Sequence, residues 1–135
     1  MGTMEAPIAI RRLETDREDV FAFDVVGRVA ASDVENIYGL IEGAYALHDK
    51  IDVLVRIKDY DGVDWDAAKK DFSLLSETRA LKHIRRYAVV GGPGWFGPMI
   101  AVLKPFFSLR MKHFDADEEA EAWAWIGATE IPPRT

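Results

Sequence analysis

Four carboxylates fall within eight residues of the chain, at Asp59, Asp61, Asp64 and Asp66. Alternate carboxylates can hold a hard cation, and Asp59-Tyr60-Asp61-Gly62 approaches the opening of a calcium loop. Such a loop also needs a bidentate glutamate downstream, and none stands at that distance. Asp64 as a helix cap and Asp66 in a first helical turn account for the run without an ion. No metal is expected. Gly91-Gly92-Pro93-Gly94 lies between an apolar strand pattern and a helical one, where a phosphate cradle would sit. It matches neither the dinucleotide fingerprint nor the P-loop, and Pro93 removes a backbone donor. A tight turn is the expectation, with no cofactor. The three histidines, His48, His83 and His113, share no metal-ligand spacing, and no Gly-x-Ser-x-Gly elbow supports a nucleophile. No catalytic residue is expected.

The run from Trp95 to Phe107 is of another kind. It contains Trp95, Phe96, Met99, Ile100, Val102, Leu103, Phe106 and Phe107 with one charge, Lys104. A helix apolar all round is either buried or covers something. Two expectations follow. The segment is buried beneath the last helix with Trp123, Trp125 and Ile126, or it forms a self-association surface, a partner groove or a gate over an apolar ligand.

These candidates sit in a chain of 135 residues, enough for one domain. Hydrophobic residues make up 49% and charged ones 30%, with 23 acidic against 17 basic and a formal charge of -6. That balance disfavours nucleic acid as a partner. The absence of cysteine removes disulfides and thiol chemistry. No apolar stretch reaches the roughly 18–20 residues needed to span a bilayer. A cytoplasmic protein with no membrane span is expected. Residues 1–7 read as a tail, 8–128 as one domain and 129–135 as a flexible tail.

The elements follow from periodicity. Ile8–Glu14 and Val20–Val29 read as strands joined by a short polar turn. Ser32 and Glu35 form a capping-box signature before a helix whose apolar stripe is Val34, Ile37, Ile41, Ala44 and Tyr45. Ile51–Ile57 is a third strand, its Val53-Leu54-Val55 run that of a strand covered on both faces. A second helix is expected from Asp64 to about Lys82, on Trp65, Ala68, Phe72 and Leu75. Tyr87–Val90 is a fourth strand, and a helix follows around Trp95–Phe107. Leu109–Phe114 is a fifth strand, and a last helix ends near Gly127. The order ββαβαβαβα predicts an α/β fold: a mixed, mainly parallel five-stranded sheet flanked by about four helices.

Four stretches carry a resemblance. They are Gly27-Arg28-Val29 before an Ala-Ser-Asp helix start, the run Val55-Arg56-Ile57-Lys58-Asp59-Tyr60-Asp61-Gly62, the run His83-Ile84-Arg85-Arg86-Tyr87-Ala88-Val89-Val90, and Phe114-Asp115-Ala116-Asp117-Glu118-Glu119-Ala120-Glu121-Ala122-Trp123. In succession they resemble the STAS superfamily of anti-sigma-factor antagonists, and more narrowly its SpoIIAA-like bacterial family. The resemblance implies a non-catalytic regulatory adaptor, switched by phosphorylation of a Ser or Thr at the start of the helix after the third strand. Here the corresponding segment, Asp59 to Asp66, has no Ser or Thr, so the phospho-switch is not expected to carry over.

Two functions of different class remain. One is a protein-interaction module, expected as a homodimer or with a protein partner, using Asp59, Tyr60, Asp61, Asp64 and Trp65 or Trp95, Phe96, Met99, Phe106 and Phe107. The other is a carrier or sensor of an apolar small molecule or lipid, lined by the same apolar segment.

Overall fold

The structure, a computed structural model, describes residues 10–26, 31–58, 82–92, 94, 96–103, 105 and 110–132, with the side chains of 31–34, 96, 99 and 103 excepted. The first two strands, β1 (Ile10–Thr15) and β2 (Val20–Val25), form an antiparallel hairpin. Helix α1 (Ala31–Ala44) follows, then β3 (Ile51–Ile57) and β4 (Ile84–Gly91). Helix α2 (Phe96–Leu103) leads to β5 (Arg110–Phe114). A 3-10 turn at Ala116–Glu118 opens α3 (Glu119–Ile126), and the two-residue strand β6 (Glu130–Ile131) comes last.

The sheet has six strands in the order β5-β4-β3-β2-β1-β6. β2 to β5 are mutually parallel, and β1 runs antiparallel to both its neighbours. The expected sheet had five strands. The sixth, β6, lies in the stretch read as a flexible tail, where Glu130 pairs with Thr15. Three helices are described rather than about four, because all but the last residue of the helix expected at 64–82 lies outside the described residues. The helix expected from Ser32 is described as Ala31–Ala44, and the side chain of Ser32 lies outside what is described.

Each face of the sheet buries its own core. On one, Phe21, Phe23, Val53, Tyr87 and Val89 pack against Tyr38, Ile41 and Ala44 of α1 and Ile100 of α2. On the other, Val20, Ala22, Leu54, Ala88, Val90 and Phe114 pack against Ala122 and Ile126 of α3. Ala22, Ala88 and Ala122 are completely buried, and such small side chains let α3 lie close on the sheet. The two faces explain why β3 lacks alternation: five of its seven residues, Asp52 and Arg56 among them, are buried.

Candidate interaction site

The two segments singled out in the sequence leave the sheet side by side. Ile57 ends β3, Gly91 ends β4, and the two are register partners at the carboxyl ends of neighbouring parallel strands. In open α/β sheets that end is where binding loops gather. Gly91 has φ +81°, and a Cβ there would stand 2.7 Å from the Ile57 carbonyl oxygen, so glycine alone fits. Gly92 also has positive φ, at 89°. This matches a tight turn.

Asp59, Tyr60, Asp61, Asp64, Trp65, Trp95, Phe106 and Phe107 lie outside the described residues, as do the side chains of Phe96 and Met99. What is described of α2 corrects the expectation of burial under the last helix. Ile100 joins the core on the α1 face, whereas Trp123 and Trp125 pack on the opposite face. Pro98 and Ala101 are exposed and Val102 is 67% exposed. The helix sequence Phe96–Leu103 holds no charged residue. It thus buries one side and presents small and apolar groups to water on another.

Two of the three histidines are tied to backbone carbonyls. His113 Nε2 lies 2.8 Å from the Gly91 oxygen, and His83 Nδ1 lies 2.8 Å from the Asp49 oxygen. The His83 ring also stacks on Tyr45 at 4.4 Å between centroids. Among the described residues, one group of carboxylates stands close enough together to share a cation: Asp115, Asp117 and Glu118. There Glu118 Oε1 accepts the Asp115 N–H at 2.8 Å, which is capping chemistry at the turn into α3.

Two buried ion clusters on the α3 face were not singled out in the sequence. Arg56, 7% exposed, grips Asp24 with both prongs, Nε to Oδ1 at 2.5 Å and Nη2 to Oδ2 at 3.0 Å. Its Nη1 also donates to Glu119 at 2.6 Å and to Glu130 at 2.8 Å. Thus one guanidinium joins β2, the start of α3, and β6. The Asp24 hydrogen bond is the largest influence on Arg56; it outweighs burial and, with the two glutamates, holds the group far above the usual arginine range. At the amino end of β3, the fully buried Asp52 accepts from Arg85 at 3.0 and 2.6 Å. Arg17 pairs with Asp19 at 3.0 and 2.6 Å and approaches Asp52 at 3.7 Å. Arg17 Nη1 also donates to the carbonyls of Ile126 and Gly127, fastening the end of α3. The signal was present as Asp52 and Arg56 inside an apolar strand. A charge in such a run requires a partner, but sequence does not say which one.

The SpoIIAA-like family model matches residues 20–127 of the chain. A crystal structure of an uncharacterized protein from the DUF3478 family with a SpoIIAA-like fold, from Shewanella loihica, is similar, with a TM-score of 0.66 and 25% identity. The match covers 93% of this chain and 99% of that one. No curated protein matches.

Proposed function

We propose, from the premise that this chain belongs to the SpoIIAA-like family, that it is a non-catalytic, cytoplasmic protein-interaction module working without the phospho-switch. One observation carries the reading. Helix α2 anchors Ile100 in the core while Val102, on a helix with no charged residue, stands in solvent. Contiguous uncovered apolar surface marks contact sites, and the exposed side of α2 joins Pro98, Ala101 and Val102 without a charge among them. The buried charges fit the same reading: Asp24, Asp52 and Arg56 are all engaged in close pairs that fix the fold. The absence of Ser and Thr from Asp59 to Asp66 supports the loss of the switch.

The test is native mass spectrometry of the protein isolated from its own host, wild type against Val102→Glu. A second protein or a second copy in the wild type, lost in a folded Val102→Glu variant, would support the reading. A lone chain in both would sink it. A reproducible extra mass of a few hundred daltons would point to the carrier instead.

A further inference from the structure

Beside α3 the sheet shows a chemically different surface. β5 ends the sheet, and no described strand pairs with its outer side. A strand with one parallel neighbour turns only part of its amides and carbonyls inward, so the rest face outward and can template a further strand. On the α3 face, register places Arg86 beside Arg110 and Ala88 beside Lys112. Arg110 and Lys112 are exposed and Arg86 is half-buried.

Among the described residues none of these three cations forms an ion pair. Their neighbours are aromatic: the Arg86 guanidinium lies 6.0 Å from the Trp125 ring centre, and Lys112 Nζ lies 5.0 Å from that of Phe114. Arg17, Arg56 and Arg85 hold carboxylates, whereas Arg12 lies over the Phe21 ring at the other side of the sheet. In a chain with a net charge of -6, three cations without a carboxylate partner therefore share one face beside an open strand edge.

We propose that this strip, the outer edge of β5 with Arg86, Arg110 and Lys112, docks an extended acidic segment of a partner protein as an added strand. The proposal rests on the interaction-module reading and names the partner's chemistry. Strand geometry sets the spacing. Arg110 and Lys112 are two residues apart and share a face, so the partner carries carboxylates at alternate positions. Met111 sits on the other face and packs partly into the core there, which suits an apolar residue between the carboxylates. A second copy is the wrong occupant, because β5 against β5 would set these cations against themselves. A phosphate polymer would match the charge but leave the backbone edge unused, and the acidic bulk would repel it.

The experiment is a fluorescence-anisotropy titration of the full chain with a labelled Glu-Val-Glu-Val-Glu peptide. Comparison peptides are Glu-Glu-Glu-Val-Val, Lys-Val-Lys-Val-Lys and an alternate N-methylated form of the first. The alternating acidic peptide should bind most tightly, and N-methylation should abolish binding. Reversal of both exposed cations (Arg110→Glu with Lys112→Glu) should weaken it roughly tenfold or more and favour the lysine peptide. Equal binding of the scrambled or N-methylated peptide to the wild type would overturn the proposal, whether or not the reversed variant folds. So would preference for vesicles of anionic phospholipid or for a single-stranded oligonucleotide. A co-isolated protein that survives the reversal, with no peptide binding, would remove the strip and leave the module reading standing. Absence of both would remove both.

Discussion

Arg56 carries one positive charge against three carboxylates, and its removal would strand the most deeply buried of them. Asp24 is 5% exposed, whereas Glu119 and Glu130 reach partly into water. Breaking a buried pair from one side costs about 3–5 kcal/mol. Arg56→Leu should therefore destabilise the domain by that amount, read from urea unfolding. Replacing both partners (Arg56→Met with Asp24→Leu) should recover most of the loss, because two apolar groups need no pairing. Equal losses in the single and double variants would refute this account. Asp19 supplies the pH dependence. Burial pushes its carboxyl up, but the hydrogen bond and charge of Arg17, with help from Arg85, bring it below the ordinary value of 3.8. A depressed folded value gives stability that is present above the unfolded value and lost as pH falls through the folded one. Asp19→Asn should be less stable near pH 7 yet show a flatter stability curve below about pH 4. Parallel curves for the two proteins would contradict it. Arg85 is raised, chiefly by its Asp52 hydrogen bond, and a raised cation contributes equally at all pH values below its unfolded one.

At the scale of elements, the close approach of β4 to β3 is the most sensitive joint. Gly91→Ala sets a Cβ 2.7 Å from backbone at a positive φ, so both sterics and conformation oppose it. A loss of at least about 1–3 kcal/mol is expected. Gly97→Ala would meet only the His113 Nδ1, at 3.2 Å, and a side chain can yield a few tenths of an ångström. Its melting temperature should fall less than that of Gly91→Ala, and the reverse order would show that the turn, not the contact, is soft. Sequence made some elements legible and hid others for physical reasons. Ile51–Ile57 was read with its true ends, since a dense apolar run bounded by polar residues needs no tertiary knowledge. β6 was invisible because two residues have no period and become a strand only through Glu14 and Thr15. The Trp95–Phe107 run was recognised as unusual, but composition could not tell that Ile100 turns inward and Val102 outward. Asp52 and Arg56 announced that partners existed, while the partners came from β2, β4, β6 and α3.

For the molecule as a whole, the hairpin with a parallel run was correctly inferred from element order, because βα connections leave few topologies open. The last residues were the exception, since β6 returns to lie beside β1. Among the described residues no helix is long and apolar enough to cross a membrane. The ion shell of Arg56 gathers residues 32, 63 and 74 positions away along the chain. Those separations order events on the ribosome. A nascent chain that has emerged only to Glu118 can give Arg56 its Asp24 but neither glutamate, and it leaves Leu54, Ala88 and Val90 without the helix that covers them. The domain thus becomes complete only once α3 and β6 have emerged. A message broken before the codon for Glu119 would yield a product with one apolar sheet face bare, a substrate for chaperones and proteases and not a shortened working protein.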